Sequence, residues 1–169
     1  MITVVDVETS WQVTDTGGYD PSPYHPDNIL VSVGINDEYY FTNHSERIDD
    51  GCYHNIQSIL DKTTLLVGHN IKFDLMWLIE AGFKYTGKVY DTMLGEYILN
   101  RGIRKSLTLE MSCRRRRIGS KDNRIKEFTD RGIPFQNIPS NVVEEYGRMD
   151  VQITRDLFNS QMADFRMPK

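Results

Sequence analysis

The 169-residue chain has the length of one domain, and its 39% apolar and 26% charged residues exclude collagenous, low-complexity and disordered classes. No apolar run approaches the ~18 residues of a membrane span, and the acids in the first strand-like run argue against a secretory leader. The net charge of −4 hides a division: residues 1–100 carry −10, residues 101–131 carry +7 and residues 132–169 carry −1. An acidic, cation-binding half beside a basic, polyanion-binding segment is the expectation.

In chain order, residues 2–8 are rich in β-branched side chains and read as a strand. Residues 11–27 hold Gly17, Gly18, Pro21, Pro23 and Pro26 and read as a loop. Residues 29–35 and 38–42 form a hairpin about Asn36 and Asp37. A helix over 54–60, a strand over 63–68 and a helix over 71–81 ended by Gly82 follow. Residues 89–90 make a short strand, and a helix runs through Met93, Leu94, Tyr97 and Ile98. Residues 106–113 form a short helix and 114–135 a basic, loop-rich stretch. Asn141 caps the last helix, with Glu144 three residues on in capping-box spacing. A hairpin followed by alternating strands and helices predicts an α/β domain over 1–169, with a mixed sheet between helical layers. Cys52 and Cys113 lie far apart with no CxxC spacing, which suits a reducing compartment rather than disulfide or zinc.

Three places carry chemistry. Strand residues two apart share a face, so Ile2, Val4, Asp6 and Glu8 line one side, and the two carboxylates extend an apolar surface. A dry carboxylate pair repels unless a cation neutralises it, and oxygen donors at this density suit Mg²⁺ or Mn²⁺. Asp74 falls in the first turn of its helix, near the carboxyl ends of the strands, where open α/β sheets place ligands. On the last helix, Val143, Tyr146, Asp150, Ile153 and Leu157 form one inward stripe, so Asp150 is an acid set among apolar residues. Such a buried acid calls for a cation. His69 has no second His at ligand spacing and reads as a structural or flanking residue.

These segments, in this order, resemble the proofreading 3′–5′ exonuclease domain of family A DNA polymerases, within the DEDD superfamily and its ribonuclease-H-like, three-layer fold. Asp6-Val-Glu8-Thr9 matches the first motif, Asn70-Ile-Lys-Phe73-Asp74 the second, and Tyr146 through Asp150 the third, in its tyrosine branch. The run Tyr90 to Asn100 is similar to the segment these domains carry after the second motif. The Pro-rich stretch 19–28 is longer than in bacterial members and looks phage-like, and the tetrad Arg114 to Arg117 has no counterpart in the motifs.

The resemblance implies a metal-dependent exonuclease that removes nucleoside 5′-monophosphates from single-stranded or frayed DNA 3′ ends, in DNA polymerase proofreading or as a standalone phage-type nuclease. Asp6, Glu8, Asp74 and Asp150 are implied to hold two divalent cations about 3.5–4 Å apart. Tyr146 is implied to orient the attacking water. Thr9, Asn70 and Phe73 are assigned to the terminal nucleotide, and Arg115 and Arg116 to backbone phosphate. A DNA polymerase domain or subunit is the implied partner, with no membrane, and a bacterial or phage-infected cytoplasm the implied location. Two alternatives stay open: an RNA-trimming enzyme of the ribonuclease D type, and a catalytically silent nucleic-acid-binding module.

Overall fold

The computed structural model describes residues 1–119 and 124–166. Among these residues seven strands form: β1 Ile2–Thr9, β2 Gln12–Val13, β3 Tyr19–Asp20, β4 Leu30–Ile35, β5 Glu38–Phe41, β6 Leu65–Gly68 and β7 Lys88–Asp91. The helices are α1 Cys52–Lys62, α2 Ile71–Glu80, α3 Thr92–Leu99, α4 Leu109–Arg116, α5 Arg124–Thr129 and α6 Ser140–Arg166. A 3₁₀ turn at Phe135–Asn137 precedes α6.

Five strands make one mixed sheet in the order β5-β4-β1-β6-β7. β4 and β5 are the expected hairpin and join β1 antiparallel, while β6 and β7 continue from β1 in parallel. Central β1 is covered on both faces, and its alternating residues serve two cores. Val5 and Val7 pack with Ile56, Leu60, Trp77 and Leu78 of α1 and α2. Val4 packs with Val67 and with Val151 and Phe158 of α6. The result is the expected α/β architecture of a mixed sheet flanked by helices, because residues of opposite parity on one strand must each find an apolar layer.

The long helix α6 lies very close to the sheet. Gly34 stands across from Asp6 in the β1–β4 ladder, and a Cβ there would sit 2.8 Å from a Val151 methyl. A Cβ at Gly147 would meet the Tyr39 ring at 2.5 Å. Two absent side chains therefore let α6 settle onto β1 and β4, which brings Asp150 towards β1.

Four local expectations change. The loop 11–27 contains the small β2–β3 hairpin, pairing Gln12 with Asp20 and Val13 with Tyr19. The basic stretch expected to be loop-rich over 114–135 also holds helix: α4 begins at a Thr108 cap and carries Arg114, Arg115 and Arg116 in its last turn, and α5 covers Arg124–Thr129. Its residues 120–123 lie outside the described residues. The last helix starts at Ser140, and the carboxylate of Glu46, not Asn141, accepts from the Ser140 amide at 2.8 Å. Glu144 instead pairs with Arg47 and Arg148, because two cations outcompete one backbone amide for its charge. Among the described residues, no helix is long and apolar enough to cross a membrane.

Candidate active site

β1 delivers Asp6 and Glu8, and α6 delivers Asp150. One carboxylate oxygen from each lies within 4.8 Å of the others. Glu8 and Asp150 are buried and Asp6 half-buried. Three like charges this close, removed from water, are unfavourable unless a cation sits among them. The donors are oxygen only, which matches Mg²⁺ or Mn²⁺ and not a sulfur- or imidazole-seeking metal. The residues fit a divalent metal centre.

Asp74 arrives from the other face of the sheet. Beyond Val4, β6 no longer pairs with β1 and turns into α2. The amide of Val7 therefore lacks a strand partner on that side, and it donates to Asp74 Oδ1 at 3.0 Å. Burial pushes the Asp74 carboxyl well above the ordinary range, and the neighbouring Asp6 charge pushes it further. Asp74 thus stands where the charge of Asp6, a member of the three-carboxylate cluster, acts on it.

Tyr146 lies one helical turn before Asp150 and donates its hydroxyl to that carboxylate. Burial, then Glu8, Asp150 and Asp6, hold the phenol far above its usual range. It is therefore a neutral hydrogen-bonding group at any working pH. Buried Tyr39 stabilises the seat beneath, its hydroxyl within 2.8 Å of Ser32 Oγ and donating to the Val143 carbonyl.

The remaining expected contacts separate. Thr9 is buried, next to the register shift between Glu8 and Thr9 that bends the strand end. Asn70 is exposed in a left-handed conformation, φ 60°, at the start of α2, and Phe73 packs half-buried against the α1–α2 core. Arg115 and Arg116 converge on the buried carboxylate of Glu96 at 3.2 and 2.8 Å, and Arg116 also reaches Asp164. Their charge is thereby directed at protein acceptors, a different engagement from the phosphate contact expected of them. Arg114 and Arg117 on the same helix end are exposed. His69 bridges Thr92 Oγ1 at 2.9 Å and the Leu107 carbonyl at 2.8 Å, a structural tie as expected.

Asp91, inside the run Tyr90 to Asn100, organises the rim. Its carboxylate accepts from the Asn70 and Met93 amides at 2.9 and 2.8 Å, so it caps α3 and holds the start of α2. An Asp immediately before a helical run is the local signal for such a cap. Glu96 gave no local signal, because its partners come from α4 and α6.

A family model described as 3′-5′ exonuclease, of the DNA polymerase A type, matches residues 14–163. The first motif, Asp6 to Thr9, precedes the matched span. Among solved structures, one described as the apo form of a nuclease superposes with a TM-score of 0.65 at 16% identity, covering 98% of this chain and 75% of that one. The family B DNA polymerase of the hyperthermophilic archaeon Pyrobaculum calidifontis gives 0.63 at 15% identity, over 95% of this chain and 24% of that one. Brucella melitensis NrnC with bound Mg²⁺ gives 0.57 at 17% identity, over 98% and 76%. At these identities the likeness establishes the fold. Comparison with the curated proteins finds no match.

Proposed function

Because the chain belongs to the 3′-5′ exonuclease family of DNA polymerase A, we propose that residues 1–169 act as one metal-dependent domain. It releases nucleoside 5′-monophosphates from single-stranded or frayed DNA 3′ ends, as in polymerase proofreading. The observation that carries this reading is the convergence of Asp6, Glu8 and Asp150 within 4.8 Å, with Asp74 beside them and Tyr146 bonded to Asp150.

Asp6, Glu8 and Asp150 would hold one divalent cation, and Asp74 with Asp6 would serve a second. When bound, such cations supply a water of lowered pKa and neutralise charge on the reacting phosphate. Tyr146 cannot serve as the base, since its phenol keeps its proton. Its hydroxyl, held beside Asp150, is a neutral hydrogen-bonding group that sets the direction of the attacking water. Asp74, locked by the Val7 amide, cannot swing away, so the site is organised before substrate enters. Thr9 and Asn70 grip the terminal nucleotide, with the half-buried Phe73 offering a ring edge to its base. The exposed Arg114 and Arg117 take the phosphate contacts, while Arg115 and Arg116 anchor the helix that presents them.

The test is single-turnover digestion of matched 3′-labelled DNA and RNA single strands and of paired and mismatched duplexes, in Mg²⁺ and in EDTA. Stepwise release of 5′-monophosphates, dependent on metal and fastest on single-stranded or mismatched DNA, is the expected result. Equal or faster RNA cleavage overturns the DNA assignment, and undiminished cleavage in EDTA overturns the metal-dependent reading.

A further inference from the structure

A row of aromatic rings leads from the acidic cluster to the surface. Tyr146 lies 6.1 Å, centroid to centroid, from Phe135. Phe135 lies 5.8 Å from Trp11, and Trp11 lies 5.5 Å from Tyr19, both pairs edge-on. At its outer end the row lines a cleft of 210 Å³ with Pro21 and Thr129. An edge-on pair leaves ring faces that neither ring covers, and Tyr19 is 59% exposed.

The row is built to hold its shape. Trp11 immediately precedes the β2–β3 hairpin and Tyr19 belongs to it, paired with Val13. The chain before the hairpin is tied by the Ser10 amide to the Ile29 carbonyl at 3.0 Å. The chain after it is tied by Trp77 Nε1, which donates to the Pro21 carbonyl at 3.0 Å. On the opposite wall, Thr129 belongs to α5, a segment whose exposed charges balance, Lys126 and Arg131 against Glu127 and Asp130. An apolar, ring-faced floor matches the flat bases of an unpaired strand.

Continuity decides which part of a strand lies there. The row begins at Tyr146, on the α6 side of the site, whereas Asn70 and Phe73 lie on the α2 side. We propose that Trp11 and Tyr19 form a stacking subsite for unpaired bases of the substrate strand upstream of the linkage being cut. This rests on the exonuclease reading and deepens it: the enzyme grips several unpaired nucleotides, not the terminal one alone.

The test uses oligothymidylates of two to eight nucleotides, and versions in which the second, third or fourth residue from the 3′ end lacks its base. Binding is read by anisotropy on strands with phosphorothioate 3′ linkages, so it does not depend on hydrolysis. Turnover of ordinary strands is followed in parallel with Mg²⁺. Loss of one upstream base is expected to weaken parental binding about tenfold, within the range of a single base–aromatic stack, with KM rising in step. Trp11→Ala should lose that dependence, and Trp11→Phe should restore it. Tyr19→Ala, at an exposed position, provides a second variant whose fold is not at risk. If both alanine variants keep the parental dependence on upstream bases, the subsite is overturned. Base-dependent binding without release of mononucleotide overturns the catalytic reading and leaves the subsite standing.

Discussion

Asp74 Oδ1 accepts from the Val7 amide at 3.0 Å, where the parallel ladder between β1 and β6 has already ended. A carboxylate thus replaces a missing strand neighbour, and the same bond fixes it one residue from Asp6. Asp74→Asn keeps an acceptor for Val7 but removes a buried charge that Asp6 repels. Metal-free melting temperature should rise, and the stabilisation given by added Mg²⁺ should shrink together with activity. Asp74→Ala, which leaves the Val7 amide unsatisfied, should instead lower it. Thermal melts of both variants with and without Mg²⁺ check the pair.

Asp6→Ala and Tyr146→Phe should fail in different ways. Loss of Asp6 removes a member of the tightest carboxylate cluster and should cost several kcal/mol of barrier, each ~1.4 kcal/mol being tenfold in rate. Tyr146→Phe keeps the ring against Phe135 and removes only the hydroxyl bonded to Asp150. A loss of roughly tenfold to a thousandfold with metal affinity retained is expected. Single-turnover rates and calorimetric metal titrations of both variants measure the difference. Equal loss of rate and of metal would refute a water-orienting role for tyrosine.

Glu96 ties three helices together through Arg115, Arg116 and Gln161. Burial pushes its carboxyl up, but hydrogen bonds from Arg116 and Gln161 and the Arg116 charge outweigh that, so it sits below the usual range. A carboxylate lowered on folding contributes stability above its unfolded value of about 4.3, and that contribution disappears as pH falls through the folded value. Glu96→Gln should therefore cost on the order of 3 kcal/mol at neutral pH. Its deficit against the parent should narrow in increasingly acid solution. Urea melts across this range give the curve.

The neighbouring arginines should divide by exposure. Arg114→Ala with Arg117→Ala should leave melting nearly unchanged and flatten the salt dependence of DNA binding, by up to about one unit of log–log slope per lost phosphate contact. Arg116→Ala should act chiefly on stability, because it leaves Glu96 and Asp164 without their shared cation. Binding isotherms at several salt concentrations separate the two.

Gly147→Ala places a methyl where the Tyr39 ring lies. Overpacking of this kind costs about 1–3 kcal/mol, and here it also lifts α6 away from the sheet that carries Asp6 and Glu8. Lower melting temperature together with weaker Mg²⁺ binding is expected, and Gly147→Ala with Tyr39→Phe, which keeps the ring, should not recover either. Calorimetric metal titration against the parent decides whether the seat of α6 matters to the cluster.

The main architecture is legible along the chain because it rests on local periodicity. The hairpin about Asn36 and Asp37, the parallel strands and the inward stripe of α6 follow from spacing alone, and the stripe carries Asp150 with it. Local reading fails where the partner is remote. Glu144 follows Asn141 in capping-box spacing, yet Arg47, 97 residues away, takes its charge. Residues 11–27 carry every loop signal and still pair as β2 and β3, because their ends are pinned by Ile29 and Trp77.

By itself the sequence determined that three acid-bearing segments exist, on which kinds of element, and with which face inward, since side-chain parity on a strand or helix is a property of neighbouring residues. Tertiary structure decided their meeting. The approach of Asp150 to Asp6 and Glu8 depends on Gly34 and Gly147 leaving room beneath α6, and the fixing of Asp74 depends on where β6 stops. It also turned Arg115 and Arg116 onto Glu96 and aligned Trp11 with Phe135, residues 124 positions apart in the chain. No local pattern encodes such pairings, because charge and ring contacts are settled by whichever groups the packed core brings within a few ångströms.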